Sequence, residues 1–183
     1  MLARSFIGML VMLGLSTFPR ATSATEFPET DIAGIHQEIR AFAKVPISVR
    51  DAIAIAEKRD ARAKVVDISF DGRSDQPAYR VKVYQNDEIW SGVIDAGTGT
   101  IIGDGDVSPV SALGVDDKAE LAGLKKVGID LSRAVAIAEG HGFGKAISAG
   151  LDEIGNALVF RVVVVIDGLL EMITINPAAV SEK

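Results

Sequence analysis

The sequence predicts an α+β fold built as two tandem repeats, each a helix pair followed by a three-stranded antiparallel meander packed on the helix. Three observations carry this expectation. Apolar residues recur at helical spacing ahead of segments that alternate with a period of two. Turn-forming pairs separate the alternating segments. The body of the chain also repeats itself, Ile47 to Glu57 matching Ile129 to Glu139.

In that match Ile47/Ile129, Ala52/Ala134, Ala54/Ala136, Ile55/Ile137, Ala56/Ala138 and Glu57/Glu139 are identical, and Val49/Leu131 and Ile53/Val135 are apolar exchanges. Upstream, Ile39, Phe42, Lys44 and Val45 align with Leu121, Leu124, Lys126 and Val127. Downstream, after the loss of one residue, Tyr79-Arg80-Val81 meets Phe160-Arg161-Val162 and Ile94-Asp95 meets Ile175-Asn176. A shared order of elements is harder to reach by chance than one alanine-rich helix.

The first repeat is expected over residues 30–103. Ile32, Ile35, Ile39 and Phe42 form a helical stripe behind Thr30 or Asp31 as N-cap, and Pro46 closes that helix. Ser48 caps a second helix, with Asp51 at its third position and Val49, Ala52, Ile53 and Ala56 as its buried stripe. Lys58, Arg59 and Arg62 follow at the helix exit, where cations complement the dipole, so a solvated helix end is preferred to an anion site. Residues 64–71, 78–84 and 88–94 alternate as strands, divided by Asp71-Gly72 and Asn86-Asp87 turns. The turn Asp95-Ala96-Gly97-Thr98-Gly99 leads into a short extended tail at 100–102.

Residues 104–113, with Asp104, Asp106, Ser108 and Pro109, read as a linker. The second repeat, 114–183, is expected to hold helices at 117–126 and 130–140 and strands at 145–152, 158–166 and 169–175. Its strand 158–166 is apolar on both sides, which calls for cover on both faces.

The N-terminus has the layout of a secretory signal peptide. Arg4 precedes an apolar run at 6–18, Pro19 breaks it, and Ala21-Thr22-Ser23-Ala24 offers small residues for cleavage after Ala24. A bilayer-spanning helix needs about 20 apolar residues, so residues 1–24 are expected to leave, with no stable membrane anchor. The mature protein is then expected to be periplasmic or secreted.

Composition removes much chemistry. The chain of 183 residues holds no cysteine and two histidines, His36 and His141. That excludes thiolate metal sites and a cysteine nucleophile, and it leaves too few imidazoles for a multi-histidine centre. A net charge of −6 without a basic segment argues against a nucleic-acid partner. The hydrophobic share of 48% excludes a disordered chain.

Ile47-Ser48 before an alanine-rich helix, Lys64-Val65-Val66, Tyr79-Arg80-Val81-Lys82-Val83 and Val93-Ile94-Asp95-Ala96-Gly97-Thr98-Gly99 together resemble the PepSY domain. The family occurs in propeptides of thermolysin-type metallopeptidases and in small exported bacterial proteins. The resemblance covers about 46–102 well and 128–180 less well, where Asn176-Pro177-Ala178-Ala179 replaces the Asp-Ala-Gly-Thr-Gly turn. It implies inhibition or chaperoning of peptidases and brings no catalytic residues. The tandem arrangement also resembles, in architecture alone, the beta-lactamase inhibitory protein.

No G-x-S-x-G accompanies either histidine, so no catalytic pair is expected. Asp104, Asp106 and Ser108 alternate like calcium ligands, but Pro109 and Val115 stand where an EF-hand loop needs glycine and glutamate. Gly97-Thr98-Gly99 and Gly140 to Gly144 lack the lysine–serine/threonine pair of a phosphate loop.

A binding surface is the better expectation. The second face of the first meander would carry Arg80, Lys82, Tyr84 and Trp90, and that of the second Arg161, Val163 and Val165. Either the two sheets or a dimer mate bury these faces, or they form a groove for a protein or peptide anchored by Tyr84 and Trp90. An exposed strand edge could also accept an extended peptide.

The expected function is non-enzymatic binding in the cell envelope, with restraint of a peptidase as its specific form, no cofactor and a homodimer allowed. The alternative is a small-ligand or metal-ion sensing module, and an enzyme of unrecognised type comes third.

Overall fold

The computed structural model describes residues 32–140, 144–155 and 157–180. The signal-peptide segment, the Thr30 or Asp31 cap and His141 lie outside the described residues.

The capped helix forms where its stripe and cap place it. After α1 (Ile32–Phe42), Ser48 opens α2 (Val49–Glu57) with a capping box: the Asp51 N–H donates to Ser48 Oγ at 3.1 Å, and the Ser48 N–H donates to Asp51 Oδ2 at 3.0 Å. Val49, Ala52, Ile53 and Ala56 are the buried residues of α2. Three strands follow as expected, β1 (Lys64–Asp71), β2 (Ala78–Gln85) and β3 (Glu88–Asp95). Asn86 and Asp87, both at positive φ, make the two-residue turn between β2 and β3.

The expected linker is corrected. Most of it is a fourth strand, β4 (Ile101–Pro109), antiparallel to β3, followed by a 3-10 turn at Val110–Ala112. The Asp95–Gly99 turn sends the chain back along β3, and the Trp90 indole N–H donates to the Asp104 carbonyl at 2.7 Å. Gly105 lets the backbone pass the indole: a Cβ there would stand 2.4 Å from Trp90 Nε1.

The second half runs α3 (Val115–Leu124), α4 (Leu131–Gly140), β5 (Lys145–Ile154), β6 (Ala157–Ile166), β7 (Leu169–Ile175) and α5 (Pro177–Val180). The Asp130 carboxylate caps α4, accepting the Arg133 N–H at 2.9 Å. Leu131, Ala134, Val135 and Ala138 form its buried stripe, the counterparts of those in α2.

All seven strands make one antiparallel sheet in the order β4-β3-β2-β1-β5-β6-β7. Two separate sheets covering each other face to face are therefore not found: the meanders meet edge to edge, where Asp67, Ile68 and Ser69 pair with Gly150, Ala149 and Ser148. Helix α2 lies over β1 and β2, α4 over β5 and β6, and the helices touch each other. One core results, with Ile68, Tyr79, Val81, Val83, Phe160, Val162 and Val164 beneath the helices. Phe70 joins them, packed edge-to-face between Phe42 and Tyr79.

A part-buried hydrogen bond binds helix to sheet in each half. Glu57 accepts the Val65 N–H at 3.1 Å, and Glu139 accepts the Ala146 N–H at 3.0 Å. Each donor begins a register shift, at Val65/Asp67 in β1 and at Ala146/Ser148 in β5. A bulge leaves main-chain groups without ladder partners, and the carboxylate takes one of them.

Candidate functional site

Strand register decides which side chains share a face. Beneath the helices, Gly92, Val81, Ile68, Ala149, Val162 and Ile173 form one transverse row. The two flanking rows lie on the opposite face. One runs Val93, Arg80, Ser69, Ser148, Val163, Met172, and the other Ser91, Lys82, Asp67, Gly150, Arg161, Thr174. The sheet thus brings Arg80, Lys82, Arg161 and Val163 onto a common surface across the junction of the two halves. Val165 lies on the same side, beside Leu170 of β7.

Trp90 does not belong there, and the expectation is corrected. It pairs with Val83, so it shares the helix-covered face, and it is only 1% exposed. The Arg59 guanidinium lies 3.9 Å from its ring centroid, so that cation is a lid on the indole. Trp90 is a core residue and offers no surface to a partner. Tyr84, one step along β2 from Val83, stands on the other side and is half-buried. Its hydroxyl donates to Asp87 Oδ1 at 2.9 Å, and Lys125 Nζ lies 5.1 Å from its ring centroid and 3.7 Å from Asp87. Tyr84 is thereby tied to the β2–β3 turn and the end of α3.

The arginines are also held. Arg80 donates to Asp71 Oδ2 through Nη2 at 2.9 Å and Nε at 3.1 Å. Arg161 forms an ion pair with Asp152. These pairs occupy matching places in the two halves, so they read as parts of the frame. Lys82 and Val163 also match in position, yet differ in chemistry. At the junction itself, burial pushes the Asp67 carboxyl up to about 6, although the Lys82 charge pulls it down.

Serines 69, 91 and 148 stand on this face without a histidine, and His36 is exposed on α1. Among the described residues no group of three His, Asp or Glu side chains could hold a metal ion. No helix among them is long and apolar enough to cross a membrane. What the face offers is a broad, partly exposed surface with cations, small polar groups and a valine–methionine margin.

The end of each meander repeats one further device. Asp95 Oδ1 accepts the N–H groups of Gly97 and Thr98 at 2.8 and 2.7 Å, and Asn176 Oδ1 accepts that of Ala178 at 3.0 Å. The Asn-Pro sequence therefore keeps the side-chain turn that the missing Asp-Ala-Gly-Thr-Gly would have supplied.

Residues 46–104 match the family model described as "Peptidase propeptide and YPEB domain", PepSY. The match runs from the lead-in of α2 into β4 and leaves the second half outside it. The chain is also similar to a crystal structure of a candidate lipoprotein from Clostridium difficile 630, at 18% identity over 71% of this chain and 94% of that one, with a TM-score of 0.40. No curated protein matches the sequence significantly.

Proposed function

We propose that this chain is a non-catalytic, extracytoplasmic binding protein that engages a protein or peptide through the sheet face opposite α2 and α4, with restraint of a peptidase as its specific action. The observation that carries the reading is the pair of transverse rows that places Lys82, Arg161 and Val163 on one surface across both halves. The PepSY match at 46–104 supports the peptidase side of it, since that domain type takes its description from peptidase propeptides. The apolar run at 6–18 ahead of Ala24 supports export.

We also propose that the second half is a diverged copy of the first. The shared helix stripes, the Glu57 and Glu139 bonds to the bulges, and the Arg80–Asp71 and Arg161–Asp152 pairs support this.

The purified protein should inhibit a thermolysin-type metallopeptidase saturably and form a complex with it in sedimentation. Lys82→Glu combined with Val163→Glu should weaken that inhibition about tenfold or more, as loss of a central contact does, while leaving the melting temperature near that of the parent. Full inhibition by the doubly substituted protein would move the contact elsewhere. Absence of both complex and inhibition would remove the peptidase reading.

A further inference from the structure

The two edges of the sheet are built differently. On one side β4 covers β3, and β4 itself is poorly suited to further pairing: Gly103 and Gly105 sit at positive φ, Asp104 and Asp106 alternate with them, and Pro109 ends the strand. On the other side β7 pairs with β6 alone, and among the described residues nothing pairs with its outer edge. The sequence of β7, Leu169-Leu170-Glu171-Met172-Ile173-Thr174-Ile175, contains one ionisable group and neither proline nor glycine. Leu169 is 65% and Met172 53% exposed. An apolar edge of seven residues that nothing among the described residues pairs with is a template for another strand.

We propose that the recruited strand is β7 of a second copy of this chain, paired antiparallel across a two-fold axis into a continuous fourteen-stranded sheet. This goes beyond the binding face proposed above and does not depend on it.

Three features select a second copy. Antiparallel self-pairing about Met172 sets Glu171 opposite Ile173, so the lone charge never faces itself. Val163, Val165, Leu170 and Met172 form an apolar margin that reaches the edge on one face, and the two-fold operation joins it to its own copy. Within the chain, β1 and β5 already join two meanders edge to edge in the same antiparallel sense. A single strand pair with its flanking side chains is a small interface, so the dimer should form at micromolar concentrations and above.

The chain contains no cysteine, which makes the test direct. Single substitutions Leu170→Cys, Met172→Cys and Thr174→Cys place a thiol on the β7 edge, and Val107→Cys places one on the β4 edge, where Val107 is 59% exposed. Sedimentation velocity from low micromolar to several hundred micromolar should show reversible dimerisation of the parent. Under mild oxidation at least one β7 thiol should give a disulfide-linked dimer far faster than Val107→Cys. Met172→Lys, which sets like charges opposite each other, should weaken the dimer about tenfold or more at an unchanged melting temperature. Should that variant fail to fold, the thiol series still decides. A monomer at every concentration, equal cross-linking at Val107, a folded Met172→Lys protein that dimerises as the parent does, or a foreign peptide occupying β7 would each overturn the proposal.

Discussion

Replacing Asp67 by asparagine should make the protein more stable at neutral pH and flatten its pH dependence. Asp67 sits at the junction of the two meanders, paired with Lys82 on one side and Gly150 on the other, and burial raises its carboxyl from 3.8 to about 6. The sign follows from proton counting. Between these values the folded chain binds the proton more tightly than the unfolded one, so stability is greatest below about pH 4 as far as this group is concerned. It falls as pH rises through about 6 and stays reduced above that. A shift of about two units corresponds to roughly 3 kcal/mol of cost for the ionised form at pH 7. Asparagine keeps the shape and removes that cost, but it also removes the counter-charge that Lys82 feels, so a net gain of about 1–2 kcal/mol is expected. Urea unfolding of parent and Asp67→Asn from pH 4 to pH 8 reads the difference directly, since Glu38, Glu57 and the other titrating groups are common to both. Parallel stability curves over that range would refute the assignment of Asp67 as a strained buried acid, as would a loss of stability at pH 7.

Three further perturbations test the frame. Trp90→Ala should destabilise by about 3–5 kcal/mol in denaturant melts, because it empties a fully enclosed site; as the only tryptophan, Trp90 should also report folding through blue-shifted emission. Ser48→Ala removes the α2 cap and should cost about 1 kcal/mol in the denaturant midpoint, with the secondary-structure signal preserved. Glu57→Ala leaves the Val65 N–H unpaired at the β1 bulge and should cost about 1–3 kcal/mol, with faster amide exchange at Val65 than at its ladder-bonded neighbours.

Much of the fold was legible because local signals agreed. Ser48, Asp51 and the apolar spacing of α2 give the helix its start and its buried face, and the period-two segments with their Asn-Asp and Asp-Gly turns give β1, β2 and β3. The Gly-Asp alternation of β4 reads as a loop because an edge strand exposed along nearly its whole length needs main-chain pairing and no apolar stripe. The face of Trp90 follows from the turn that precedes it. A two-residue Asn86-Asp87 turn pairs Gln85 with Glu88, and counting outward then sets Trp90 opposite Val83, under the helices. Nothing local signals Arg59 above the indole or Glu57 at the bulge, since each contact joins a helix end to a strand that follows it. Glu57 and Glu139 align in sequence, yet such a match does not reveal which main-chain group either carboxylate meets.

The two faces of the sheet differ in how closely the halves correspond. Beneath the helices Tyr79 answers to Phe160, Val81 to Val162 and Val83 to Val164, so size and apolarity persist where packing leaves little room. On the opposite face Lys82 answers to Val163, Tyr84 to Val165 and Ser91 to Met172, while the ion pairs Arg80–Asp71 and Arg161–Asp152 are the same in both halves. The first half therefore presents charge and hydroxyls where the second presents aliphatic surface. A ligand seated across the junction would meet a cationic end and an apolar end, so it should have unlike ends itself, such as a segment with acidic and aliphatic side chains set apart along its length. That polarity distinguishes the face from the β7 edge, whose chemistry suits a copy of itself. The two surfaces share Val163 and Met172 and separate at the Lys82 end: charge reversal at Lys82 should leave dimerisation intact, and Met172→Lys should leave the Lys82 end of the face as it was.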